Sequence, residues 1–115
     1  VKAMHLHLDR FAQSPAICEA IKALIRNLEE SGTESVAQLK TLWQGGDYVA
    51  AARHLHKLRG SLGMLGAKDF IESTQKFESA LKLSEVESFE QLQLDWEGTF
   101  FSMLRASQSW LQRSS

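Results

Sequence analysis

The stretch AARHLHKLRGSLGMLGA, residues 51–67, combines a regular apolar pattern with two histidines and three glycines. At about 100° per residue, its apolar side chains gather within a sector of about 80°, the usual width of a core-facing helical stripe. They are Ala51, Leu55, Leu58, Leu62 and Leu65. A glycine in an exposed helix interior costs about 1 kcal/mol relative to alanine. The pattern therefore predicts a helix in which Gly60 and Gly63 serve something other than helix stability.

Before this stretch, the apolar spacing indicates two helices. The first begins at Ser14-Pro15, where serine is an N-cap and proline takes the first helical position. Gly32-Thr33 interrupts the pattern, and a shorter second helix then continues to Gly45-Gly46. Asp47 is a natural N-cap for the third helix, which contains the quoted stretch and is predicted to end at Gly66.

Two more helices are predicted after this stretch. The fourth carries Phe70, Thr74, Phe77 and Leu81 on one side. Ser88 and Gln91 form a capping-box signal for the fifth. Its apolar side is formed by Phe89, Leu92, Trp96, Phe100 and Met103, towards Trp110. Because such short connections favour antiparallel neighbours, we expect an all-α fold: an antiparallel up-and-down four-helix bundle with a short N-terminal helical extension.

Length and composition fit a single domain over residues 1–115. Thirteen basic and fourteen acidic residues nearly cancel, which argues against nucleic acid or direct membrane contact. The single cysteine, Cys18, is typical of a reducing compartment, so we expect a cytoplasmic domain. The chain begins at Val1, and we expect it to be excised from a longer protein whose other parts could be membrane-anchored.

The two histidines of the stretch point to different surfaces. His56 lies about 130° from the centre of the apolar stripe and is predicted to face water, with Gly60 and Gly63 on either side of the same outward line. Arg59, three residues on, is a candidate charge partner. His54 falls at the edge of the stripe, where we expect a packed and hydrogen-bonded ring. The layout suits transfer of an anionic group to and from His56, because the glycines leave room for a partner.

The segment HKLRGSLGMLGA, residues 56–67, resembles the signature of histidine phosphotransfer (HPt) domains: His-x-aliphatic-Lys/Arg-Gly-small, followed by Gly-Ala. The residues that fit it in order are His56, Leu58, Arg59, Gly60, Ser61, Gly66 and Ala67. The resemblance covers nearly the whole chain, from a Leu8-Asp9 element to two helices after the site. Arg59 departs from the commoner lysine, and Leu62 stands where a small residue is frequent.

The resemblance implies a phosphocarrier of a bacterial multistep phosphorelay. His56 would be the phosphorylated nucleophile, reacting as neutral imidazole through the ring nitrogen farther from the backbone. Its partners would be the receiver domains of a hybrid sensor kinase and of a response regulator. Arg59 would offset the phosphoryl charge. The domain would hold no metal or cofactor of its own, and the receiver would bring the Mg²⁺ that transfer needs.

The predicted docking surface surrounds His56, and we expect the isolated domain to be a monomer. Its residues are Arg53, Lys57, Gly60, Gly63 and Met64, together with Lys68, Gln75 and Glu78 from the adjoining helix.

Three other hypotheses remain open at this point. The chain could be a non-catalytic helical interaction module in which the glycines only permit close packing. It could be the phosphorylated module of a histidine kinase, although it contains no nucleotide-binding motif of its own. Metal binding through His5 and His7 is less favoured, because two ring ligands do not fill a tetrahedral site.

Overall fold

The computed structural model describes residues 15–65 and 67–114, and these residues form four α-helices. The helices are α1 (Pro15–Gln44), α2 (Tyr48–Leu62), α3 (Lys68–Lys82) and α4 (Phe89–Ser114). Two 3₁₀ turns, Gly63–Leu65 and Val86–Ser88, lie between them. No strand occurs within the described ranges, so the predicted all-α class is confirmed.

Contacts at the two ends of the bundle establish its antiparallel order. Trp43 Nε1 near the end of α1 donates to Gln93 Oε1 near the start of α4, at 2.9 Å. Gln108 Nε2, late in α4, donates to Glu29 Oε2, in the first half of α1, at 3.0 Å. Helix α2 packs against α1 and α3, and α3 packs against α4. The arrangement is the predicted up-and-down four-helix bundle.

The bulkiest fully buried side chains of the core are aromatic rings contributed by α3 and α4. They are Phe70, Phe77, Phe89, Trp96 and Phe100. Trp96 Nε1 donates to Thr74 Oγ1 at 3.0 Å, and the Thr74 hydroxyl donates to the Phe70 carbonyl at 2.7 Å. These buried polar groups are therefore satisfied, as a stable core requires.

Gly32 does not interrupt the first helix, and that prediction was wrong. Helix α1 runs unbroken from Pro15 to Gln44, and Gly32 is buried within it. A Cβ atom at Gly32 would lie 3.2 Å from both Cε1 and Cζ of Phe100. The glycine therefore lets the Phe100 ring pack against the backbone of α1. Burying a phenylalanine side chain is worth about 1.5–3 kcal/mol, which exceeds the cost of about 1 kcal/mol for glycine in a helix.

The start of α2 was predicted correctly, and its end was not. Asp47 Oδ1 accepts a hydrogen bond from the Ala50 amide at 3.1 Å, which confirms the N-cap. The α-helix ends at Leu62 and tightens into a 3₁₀ turn, a common way for a helix to finish. The turn places Leu65 fully in the core. Gly66, the predicted end of the helix, lies outside the described residues.

The capping box predicted for α4 is absent, although the helix does begin at Phe89, directly after Ser88. The Ser88 hydroxyl donates to the Glu85 carbonyl at 2.7 Å, because Ser88 belongs to a 3₁₀ turn. The Gln91 side-chain amide donates to Asp95 Oδ1 at 2.9 Å. The predicted N-terminal extension and the Ser14 cap lie outside the described residues.

Candidate functional site

The two histidines of α2 face different neighbours. His54 is half-buried, and its Nε2 lies 3.0 Å from the carbonyl oxygen of Ser35 in α1. Because a carbonyl oxygen only accepts hydrogen bonds, His54 Nε2 carries the hydrogen and donates it. The predicted packed, hydrogen-bonded ring is confirmed.

His56 stands open to solvent, as predicted. Its side chain is 69% exposed, and its Nδ1 lies 3.1 Å from Glu78 Oε1 in α3. The second ring nitrogen, Nε2, makes no hydrogen bond within the described part of the chain. The ring is therefore held at its inner nitrogen and free at its outer one.

Glu78 is a buried carboxylate at the centre of a small charge cluster. Its side chain is only 5% exposed. Arg59 Nη2 lies 3.4 Å from Glu78 Oε2, and Lys82 Nζ lies 3.5 Å from Glu78 Oε1. A buried carboxylate is costly unless it is paired. The two cations supply that pairing and hold the carboxylate beneath the imidazole.

His56 Nδ1 has a donor and an acceptor within hydrogen-bond distance, so the two tautomers of the ring make different hydrogen bonds. Arg59 Nη2 also lies 3.0 Å from His56 Nδ1, and a guanidinium can only donate. If Arg59 donated to Nδ1, the ring lone pair would face the Glu78 oxygen, and two acceptors would meet at 3.1 Å. If Nδ1 carries the hydrogen, it donates to Glu78 Oε1, and the Arg59 N–H groups turn from the ring to Glu78 Oε2, 3.4 Å away, which gives each oxygen of the buried carboxylate a donor. We assign the second arrangement, in which the Nε2 lone pair points into solvent.

Gly60 and Gly63 leave the surface beside His56 open. A Cβ atom built on either glycine would have no heavy atom within 4 Å outside its own stretch of helix. Gly60 is exposed and Gly63 is half-buried. The predicted bare backbone is confirmed, and no helix of the described bundle uses it for close packing.

The predicted docking residues do not all lie at the surface. Arg53, Lys57, Lys68 and Gln75 are exposed, whereas the side chain of Met64 lies outside the described part of the structure. Glu78 corrects the prediction, because its burial leaves little of it for a partner to touch. Its carboxylate instead contacts Nδ1, the inner nitrogen of the His56 ring.

Lys82 was missed by sequence reasoning. It stands four residues after Glu78 on α3, a spacing that places an acidic and a basic side chain side by side on a helix. That signal is readable in the chain, but the position of the pair beneath His56 depends on how α3 packs against α2.

An open cleft of about 730 Å³ extends from His56 towards the start of α2 and the end of α3. It is lined by Gly46, Asp47, Tyr48, Val49, Ala52, Arg53, His56, Lys57, Glu78, Leu81, Lys82 and Ser84. His56 and Glu78 therefore belong to a wider concave surface and not to an isolated point on the helix.

The described residues contain no group of three or more His, Cys, Asp or Glu side chains arranged to hold a metal ion. His5 and His7, the other candidate metal ligands, lie outside the described ranges. Among the helices described, none combines the length and apolar character that a membrane span needs.

Comparison with known proteins agrees with this geometry. The sequence model of the Hpt domain family matches residues 23–109, which include His56 and the whole of α2 and α3. No curated protein and no solved structure matches the chain significantly. Because the family match spans well over half of the sequence, the chain belongs to the Hpt domain family.

Proposed function

We propose that this domain is a phosphocarrier that accepts a phosphoryl group on His56 from a receiver-domain aspartate and passes it to the aspartate of a second receiver. Membership of the Hpt family implies histidine phosphotransfer within a phosphorelay. The observation that carries the proposal is the exposed His56 ring, bound at Nδ1 by buried Glu78 and open at Nε2.

In the forward step, the His56 Nε2 lone pair attacks the phosphorus of an aspartyl phosphate. An N–P bond forms as the P–O bond to the aspartate breaks, and the aspartate leaves as a carboxylate. Nδ1 keeps its hydrogen, so the ring gains positive charge as the bond forms. Glu78, 3.1 Å from Nδ1, stabilises that charge. Passing the phosphoryl group to the second receiver reverses these steps.

The cations around the site support the same chemistry. Arg59 and Lys82 both lie within ion-pair distance of Glu78, so the two cations and one carboxylate leave one net positive charge on the Nδ1 side of the ring. Arg59 is the proposed phosphoryl charge partner. Since the described residues offer no metal site, we propose that the receiver supplies Mg²⁺ and that the bundle contributes a positioned nucleophile. Hpt domains are carriers and not catalysts.

The test is label transfer from a panel of phosphorylated receiver domains. Wild type, His56→Gln and His54→Gln should be compared side by side. We expect label on wild type and His54→Gln and none on His56→Gln. Label on all three proteins, or on none, would overturn the proposal. If wild type bound a receiver but accepted no label from it, the helical interaction module would be favoured. If wild type were labelled only by a kinase with ATP, it would be the phosphorylated module of a histidine kinase.

We propose more narrowly that the parent resembles the membrane-anchored intermediate of the bacterial Rcs phosphorelay, whose C-terminal module has this kind of bundle. The parent would then sit at the inner membrane, with this domain in the cytoplasm as a monomer. The two partners would be the receivers of the Rcs hybrid sensor kinase and of its response regulator. Selective labelling by these two receivers supports this assignment, and equal labelling by unrelated receivers would remove it.

A further inference from the structure

The cleft beside His56 extends in one direction only. It follows the first half of α2 and the last turn of α3, and it includes the turn between α1 and α2. Lys68 lies at the opposite end of α3 from Lys82, about 21 Å away along the helix at 1.5 Å per residue. The concave surface therefore occupies one side of the ring, away from the start of α3.

The lining of the cleft is apolar at its floor and positively charged at its rim. Ala52 and Leu81 are buried, whereas Val49 is 66% exposed although it is a large apolar residue. Arg53 and Lys57 are exposed and form no ion pair with any residue in the described ranges.

The acidic groups of the cleft are already engaged. Asp47 caps α2 through the Ala50 amide, and Glu78 is buried against His56, Arg59 and Lys82. Three cationic side chains, Arg53, Lys57 and Lys82, line the cleft against two carboxylates, so its net charge is positive although the whole chain has a formal net charge of −1. This local excess of positive charge favours an acidic partner surface.

We propose that this cleft is the surface on which the receiver docks and is selected. The proposal rests on the proposed function and adds a direction to it. A receiver that holds Mg²⁺ beside its aspartyl phosphate does so with carboxylates, so the rim of its site is acidic. That rim faces Arg53 and Lys57, and Val49 is the exposed apolar residue beside them that is available for contact. The interface is continuous with the Nε2 side of His56, where the phosphoryl group arrives.

The experiment compares two substitutions in the cleft with two matched substitutions elsewhere. Val49→Glu and Arg53→Glu change the cleft. Leu94→Glu is the apolar control, because Leu94 is 63% exposed on α4 and does not line the cleft. Lys40→Glu is the charge control, because Lys40 is exposed on α1 and also lies outside the cleft. Thermal melting checks that all four proteins fold.

Each protein is labelled in two ways: by a phosphorylated receiver, and by phosphoramidate, a small donor that needs no docking surface. The readout is the rate of receiver labelling divided by the rate of phosphoramidate labelling. We expect this ratio to fall about tenfold in the two cleft variants, a change of about 1.4 kcal/mol. We expect the ratio to stay within about twofold of wild type in the two controls.

The outcomes separate this inference from the proposed function. If wild type accepts no label from any receiver, the proposed function fails. If wild type is labelled but the cleft variants behave like their controls, the function stands and the docking surface is refuted. Equal slowing by Arg53→Glu and Lys40→Glu would attribute the effect to net charge and would also refute it.

Discussion

His54 and His56 stand two residues apart on the same helix, yet they differ in almost every property that matters for chemistry. His54 is half-buried against α1 and donates from Nε2 to the Ser35 carbonyl. His56 is 69% exposed beside α3 and is bound through Nδ1 to the Glu78 carboxylate. The helix that each ring contacts, α1 for His54 and α3 for His56, therefore determines which ring nitrogen is hydrogen-bonded. Of the two, only His56 leaves Nε2 free for a partner.

Replacing each histidine with glutamine tests most directly whether His54 and His56 have different roles. We expect His56→Gln to lose receiver labelling to background, because it removes the solvent-exposed imidazole whose Nε2 is free. Its free energy of unfolding should fall by no more than about 0.5–1.5 kcal/mol, the contribution of the lost hydrogen bond to Glu78. Chemical denaturation alongside the labelling assay checks both values.

His54→Gln is the matched control for that change. Loss of the hydrogen bond to Ser35 should cost about 0.5–1.5 kcal/mol of stability, while labelling persists. If this variant lost its label and remained folded, the two histidines would not have the separate roles assigned to them.

The glycines differ in the same way as the histidines: Gly32 packs against another helix, whereas Gly60 has open space beside it. Gly32→Ala tests the packed position. An added methyl group at Gly32 would lie 3.2 Å from the Phe100 ring. Such overpacking typically costs about 1–3 kcal/mol, and we expect a corresponding loss in the free energy of unfolding. Gly98→Ala is a suitable control. Gly98 lies in α4, the helix that carries Phe100, and a Cβ atom at Gly98 would meet nothing within 4 Å. Equal stability of the two variants would show that Phe100 does not need the space.

Glu78→Ala sharpens the assignment of the His56 tautomer. Removing the carboxylate leaves Nδ1 without its acceptor, and we expect the rate of receiver labelling to fall about tenfold. This is about 1.4 kcal/mol, close to the lower end of the range for a hydrogen bond to a charged group. Nitrogen NMR of the ring should show hydrogen moving from Nδ1 to Nε2. Glu78→Gln keeps an acceptor oxygen and should lose less. An unchanged tautomer in Glu78→Ala would contradict the role given to Glu78.

Gly60→Ala gives the smallest effect and separates stability from function. Because its Cβ would meet open space, we expect a gain of about 0.5–1 kcal/mol in the free energy of unfolding. The same methyl group stands one turn from His56 and should slow receiver labelling relative to phosphoramidate labelling. A more stable protein with unchanged transfer would show that the open backbone does not serve the partner.

The sequence allowed the local features of the site to be predicted. The outward direction of His56, the proximity of Arg59 and the Asp47 cap all depend on helical spacing within a few residues, and the structure confirms each of them. The inward stripe of residues 51–65 was predicted for the same reason: Ala51, Leu55, Leu62 and Leu65 are buried, and Leu58 is half-buried.

Features that depend on contacts between distant segments were not predicted. Gly32 appeared to end a helix because the ring that occupies its space, Phe100, lies in α4. Glu78 appeared to be a docking residue because nothing within α3 indicates that His56 and Arg59 pack over it. Lys82 was missed for the same reason. In each case a tertiary contact outweighs or completes the local signal.

The most direct test of the account is the position of the phosphoryl group on the phosphorylated domain. The domain is labelled by a phosphorylated receiver, and phosphorus and nitrogen NMR then identify the modified atom. We expect a phosphoryl group on Nε2 of His56, with the hydrogen retained on Nδ1 and donated to Glu78. A phosphoryl group on Nδ1 of His56, or on any other residue, would contradict it.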